Sequence, residues 1–274
     1  MAELQIDQHN SLYYVHHPLT SPEGVTWVFF NALTGDTDMW EGQIAEQLRS
    51  AGHGTLSFNF RGQSNSRFDK SLTLNSDLII RDALRLLDNV IPERPVLCGL
   101  SIGGLFAARC WLSGLPQLNT LGLVLINMLR RDGPRLKWIN DALVRAVELG
   151  GLSLFRDLYA PLLFNQAWQQ EHRQQFLQPG PYTPLAPDSG HYNLLKNAGS
   201  SDWDIPYEQL KLPVLVVTGM QDHVFLDPAD LDHLYRRLPD ARHLKFDNAG
   251  HILPAERPEE LTRALLDFAA ELRP

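Results

Sequence analysis

The sequence predicts an α/β protein: a mainly parallel sheet with helices on both faces and a helical cap inserted into it. Three observations carry this. Short apolar runs too brief for helices alternate with segments of helical periodicity, the pattern of successive β–α units. The run Val25–Phe30 reads as a buried strand, as expected in a sheet covered by helices. Between residues 129 and 203 the alternation stops and the chain turns helical, with many Trp, Phe, Tyr and Gln residues.

The elements follow in order. Val25-Thr26-Trp27-Val28-Phe29-Phe30 reads as a buried strand, and residues 37–50 as a helix. Gly52-His53-Gly54 marks a turn before the strand Thr55–Phe60. Leu78, Ile79, Ala83, Leu86, Leu87 and Val90 recur at helical spacing. Pro95–Cys98 is the next strand, a helix begins near Ile102, and Leu121–Ile126 is a further strand. After the helical segment and a Pro/Gly stretch (Pro179-Gly180-Pro181, Pro184, Pro187), strands return at Pro213–Thr218 and Arg242–Phe246. Helices are expected near residues 228–238 and after Pro258. The expected domains are a core of residues 1–128 and 204–274 and a cap of residues 129–203.

Composition narrows the function. A hydrophobic fraction of 44% across 274 residues fills a core. The formal charge of −8 and the absence of any Lys/Arg-rich run argue against nucleic acid as a partner. No apolar run is long enough to span a bilayer, and Met1–Asp7 lacks a basic stretch followed by an apolar one. The expected location is therefore cytoplasmic. Cys98 and Cys110 form no zinc or disulfide framework, and no metal or organic cofactor is implied.

The chemistry begins at Gly99-Leu100-Ser101-Ile102-Gly103, where a strand turns into a helix. A serine hydroxyl is a weak nucleophile unless it is exposed, aligned and served by a base. A sharp strand-to-helix turn exposes it, and the flanking glycines leave room for that turn. Read blandly, the same residues are only a glycine-rich connection. Of 10 histidines, His251 is the best placed base, in a Gly-His loop after the last strand. Asp222 follows the apolar strand before it and is the expected acid; Asp132, after the preceding strand, is its rival. Together these give the order Ser, Asp, His on strand ends. The backbone N–H groups of Ile102 and of Leu33, in the loop Asn31-Ala32-Leu33-Thr34-Gly35, are the expected oxyanion donors.

Asn31-Ala32-Leu33, Met39-Trp40, Arg61-Gly62, Cys98-Gly99-Leu100-Ser101-Ile102-Gly103-Gly104, Asp222 and Gly250-His251 together resemble the α/β-hydrolase superfamily. The motifs are most similar to the branch of 3-oxoadipate enol-lactonases and related esterases. Two positions depart from it: Asn31-Ala32 stands where many members carry His-Gly, and Gly62-Gln63-Ser64 where they carry Gly-His-Gly.

The expected function is hydrolysis of a small ester, thioester or lactone through an acyl-enzyme, with a small apolar or aromatic acyl substrate as partner. Hydrolysis of a C–C bond or perhydrolysis on the same triad stays open, as does a ligand receptor built on a hydrolase scaffold. Trp40, Trp138, Phe155, Tyr159, Phe164 and Trp168 are the candidate pocket residues, although packing between helices would account for each.

Overall fold

A computed structural model describes residues 2–114 and 119–272. One eight-stranded sheet runs through it in the order β1-β2-β4-β3-β5-β6-β7-β8. The strands are β1 (Ala2–Gln5), β2 (Ser11–His17), β3 (Thr26–Phe30), β4 (Gly54–Phe58), β5 (Pro95–Leu100), β6 (Gly122–Ile126), β7 (Val214–Gly219) and β8 (Ala241–Phe246). β2 pairs antiparallel with β1 and β4, and all other pairs are parallel. The β1–β2 hairpin adds an antiparallel edge that the apolar runs do not announce.

The helices are α1 (Asp38–Glu41), α2 (Gln43–Ser50), α3 (Ser76–Val90), α4 (Ile102–Leu112), α5 (Pro134–Leu163), α6 (Gln166–His172), α7 (Gly190–Ala198), α8 (Pro228–Tyr235), α9 (Leu253–Glu256) and α10 (Pro258–Glu271). Gly42 divides the single helix expected over residues 37–50.

The period-2 geometry of the strands sends alternate side chains into two cores. Val28, Phe30, Leu97 and Leu125 join residues of α3 and α4 on one face. Trp27, Phe29, Val96 and Val124 join residues of α2 and α10 on the other. Each of β3, β4, β5, β6 and β7 is buried along its whole length, which accounts for the apolar runs of β3, β5, β6 and β7, while β4 buries Thr55 and Ser57 as well.

Helices α5, α6 and α7 form an insertion between β6 and β7. α5 is broken at Gly150 and Gly151, where Gly151 has φ +67°. A Cβ on Gly151 would lie 2.2 Å from the Thr183 carbonyl, so close packing adds to the conformational demand. No helix among the described residues is long and apolar enough to cross a membrane. Cys98 and Cys110 are buried free thiols, and burial pushes the pKa of both up.

Candidate active site

Ser101 stands between β5 and α4 with φ 57° and ψ −125°, a conformation costly for any residue with a side chain. The crowding there explains its neighbours. A Cβ on Gly99 would meet the Gly103 carbonyl carbon at 2.3 Å, and one on Gly103 would meet the Phe30 carbonyl oxygen at 2.4 Å. The turn is locked by the Ser101 N–H, which donates to the Ile126 carbonyl at 2.8 Å. Ile102 opens α4, whose first N–H groups form the positive end of the helix dipole.

Asp222 and His251 follow β7 and β8. His251 Nδ1 lies 2.6 Å from Asp222 Oδ2 and both side chains are buried. Asp222 Oδ1 accepts from the Val224 and Phe225 N–H groups at 3.0 and 2.9 Å. Burial raises the pKa of this carboxyl. The adjacent His251, its hydrogen bond, the Phe225 N–H and the Arg130 cation outweigh that and hold it below the usual range. An ionised Asp222 favours the tautomer with its proton on Nδ1, which leaves Nε2 free to accept one. Asp132, the rival acid, is exposed at the start of the insertion and accepts the Trp203 N–H at 3.2 Å.

The two loops are fastened to the insertion. The last carbonyls of α5 accept from them: Leu162 from the His223 N–H at 2.9 Å and Leu163 from the His251 N–H at 2.6 Å. Such carbonyls have no partner within their own helix, so the contact satisfies both sides. Glu256, buried in α9, accepts from Gly250 N–H at 2.9 Å and Ile252 N–H at 3.1 Å. It also accepts from the Asn165 N–H and Nδ2, both at 2.7 Å. Asn127 completes the frame, donating through Nδ2 to the carbonyls of Gly250 at 3.1 Å and His251 at 2.8 Å. Its Oδ1 accepts the Gly219 N–H at 2.8 Å. Neither Glu256 nor Asn127 stands out in the sequence, because a lone polar residue past a strand end reads as solvated.

The loop after β3 is held by a polar cluster. Asn31 Nδ2 donates to Gln63 Oε1 at 3.0 Å, Asn59 Oδ1 at 3.1 Å and the Phe58 carbonyl at 2.9 Å. Gln63 Nε2 donates to the carbonyls of Ala32 at 2.8 Å and Leu33 at 3.1 Å. Trp40 belongs to this cluster, not to a pocket. It is fully buried, stacks on Phe29, and donates its indole N–H to Asn31 Oδ1 at 2.9 Å.

Ser101, His251, Leu33 and Ile102 share one cavity of about 380 Å³ with Arg130. Of the expected pocket residues, Phe155 and Phe164 line it. Trp138 does not: it is 79% exposed and borders, with Tyr159, a groove on the outside of the insertion. Trp168 is spent on stacking between Phe164 and His172. A helical aromatic is apolar on any face, and the Gly150–Gly151 break changes which face looks inward. Leu143, Ala160 and Leu195 complete the apolar wall. Among the described residues no three His, Cys, Asp or Glu side chains converge on a metal position.

The sequence profile of the alpha/beta hydrolase family matches residues 27–264. The chain belongs to the alpha/beta hydrolase family. It is 24% identical over 251 residues to 3-oxoadipate enol-lactonase 1 of Acinetobacter baylyi, covering 90% of this chain and 89% of that one. It is 24% identical over 254 residues to the rhodomycin D methylesterase DnrP of Streptomyces peucetius, covering 82% and 84%. Among solved structures, the thermophilic esterase of Thermogutta terrifontis superposes with a TM-score of 0.79 at 19% identity, covering 100% of this chain and 99% of that one. The enol-lactonase of Burkholderia xenovorans LB400 does so with 0.76 at 23%, covering 95% and 97%. At such identities the superpositions demonstrate the shared fold. This alpha/beta hydrolase is thus an enzyme whose relatives include esterases and lactonases.

Proposed function

We propose that this alpha/beta hydrolase cleaves small carboxylic esters, thioesters or lactones through an acyl-enzyme, with Ser101 as nucleophile, His251 as base and Asp222 as orienting acid. The observation that carries this is the strained Ser101 facing the same cavity as His251, whose ring is held by a 2.6 Å contact to buried Asp222.

Neutral His251 takes the Ser101 proton on Nε2 as Oγ adds to the carbonyl carbon. The oxyanion meets the N–H groups of Leu33 and Ile102. Support for Leu33 comes from the peptide itself: in a trans peptide the Ala32 carbonyl and the Leu33 N–H point opposite ways. Gln63 holds that carbonyl at 2.8 Å and so aims the N–H away from itself. Collapse expels the alcohol, thiol or ring oxygen, protonated by His251. A water, deprotonated by His251, then releases the acid and restores Ser101.

Turnover of p-nitrophenyl esters and labelling by a fluorophosphonate test this reading. Both are expected of the parent, and Ser101→Ala is expected to lose labelling and about 10⁴-fold or more in kcat. Labelling that persists in Ser101→Ala moves the nucleophile elsewhere.

A further inference from the structure

Arg130 lies four residues beyond β6, and its side chain is enclosed: 5% exposed, with no ion pair among the described residues. Nη2 donates to the Asn127 carbonyl at 2.7 Å and to Ser101 Oγ at 3.0 Å. Nε is buried without a partner. The guanidinium carbon lies over the rings of Trp203 and Phe225, at 4.5 and 4.3 Å from their centroids. Burial lowers its pKa to about 10, so it remains a cation at neutral pH.

This arrangement is expensive. Enclosing an ion in a low-dielectric interior is costly, and the two ring contacts offset only part of that cost. Asp222 attracts it electrostatically without forming an ion pair, and that carboxylate is already engaged by His251. Two aromatic rings pack on the guanidinium, and Arg130 forms part of the wall of the cavity that holds Ser101. An apolar side chain would fill that volume without the cost. The geometry is half of an ion pair with the other half missing.

We infer that Arg130 recognises a carboxylate carried by the acyl portion of the substrate, so that this hydrolase takes short half-esters of dicarboxylic acids. The inference rests on Ser101 as nucleophile. It also sets the arm's length. A carboxylate oxygen sits about 2.7–2.9 Å from a guanidinium nitrogen; Nη2 has both of its N–H groups committed to Asn127 and Ser101, so the acid meets Nη1 of the same group, whose Nη2 is 3.0 Å from Oγ. The acid group therefore lies roughly two to four bonds from the acyl carbon, in the malonyl-to-glutaryl range. The alcohol portion then falls to the apolar side, against Leu143, Phe155 and Phe164.

The test compares monoethyl succinate with ethyl 4-methylpentanoate, in which an isopropyl group replaces the carboxylate at nearly equal shape. The parent is expected to favour the half-ester in kcat/KM. Arg130→Met is expected to lower the ratio of the two kcat/KM values about 100-fold, chiefly through KM, with Arg130→Lys restoring part of it. A ratio unchanged in Arg130→Met overturns the inference, as does a loss expressed equally on both esters in kcat, which makes Arg130 a support for the oxyanion. Calorimetry of succinate binding to Ser101→Ala removes the dependence on turnover. Succinate should bind and should cease to bind in Ser101→Ala/Arg130→Met; absence of binding in the first overturns the inference even where neutral esters are hydrolysed. Succinate binding without turnover of any ester instead counts against the proposed reaction.

Discussion

Asn31 donates to Gln63 across 3.0 Å, joining the two positions at which the sequence departs from its relatives' motifs. The departures are one structural unit. Gln63 Oε1 accepts from Asn31 and from the Phe60 N–H, while its Nε2 holds the carbonyls of the loop that carries Leu33. Gln63→Leu strands buried donors and acceptors on both sides and should cost about 1–3 kcal/mol per unmet group. Its effect should not add to that of Asn31→Leu: a double-mutant cycle by chemical denaturation is expected to give a coupling of about 0.5–3 kcal/mol. Additive losses would mean the two amides act separately.

Asp222→Asn should lower kcat by about 10⁴-fold while preserving the fold, as His251 loses its oriented tautomer and counter-charge. Asp132→Asn, altering an exposed group, should change stability by no more than about 0.5 kcal/mol and leave kcat near the parent's. A dead Asp132→Asn beside an active Asp222→Asn reverses the assignment.

The same carboxyl makes a prediction about acid stability. Its folded pKa lies below the unfolded value, so its ionisation stabilises the native state above the ordinary carboxylate range. That contribution disappears as pH falls through the depressed value. Melting temperatures followed downward from pH 5 should therefore fall less steeply in Asp222→Asn than in the parent. Parallel curves would show that Asp222 is not held ionised.

Glu256→Gln replaces a carboxylate accepting four N–H hydrogen bonds with an amide that has one accepting oxygen. A loss of about 1–3 kcal/mol is expected, with kcat falling because Gly250 and Ile252 flank the base. Unchanged pH profiles and kcat would limit Glu256 to packing.

Phe155→Ala should shift the preference for alcohol or acyl length by about 1–3 kcal/mol, because its ring lines the cavity. Trp138→Ala, on the outer groove, should leave that profile intact. A profile altered by Trp138 and not by Phe155 would place the substrate outside the cavity.

Central strands such as Thr26–Phe30 were readable because burial on both faces leaves a nearly unbroken apolar run. The Ala2–Gln5 and Ser11–His17 hairpin was not, since β1 is largely exposed and β2 mixes buried and half-buried residues. Spacing sufficed to nominate Ser101, Asp222 and His251, because strand ends in a parallel sheet share one edge. It did not sort the aromatics: Trp138 and Phe155 lie on the same helix, on either side of its break. Arg130 is not set apart in the sequence from its neighbour Arg131. Its burial depends on Trp203 and Phe225, which reach it from distant parts of the chain.

The bonds from Leu162 and Leu163 to the acid and histidine loops bear on how such enzymes are recombined. Transplanting residues 129–203 as a block would carry off those two carbonyls, and Asn165 with them, leaving the recipient's loops to find new anchors. A graft that replaces only the helix before Gly150 and the segment after α6 keeps the turn ending at Leu163 with its own core. For this architecture the useful splice points lie inside the insertion, not at its ends.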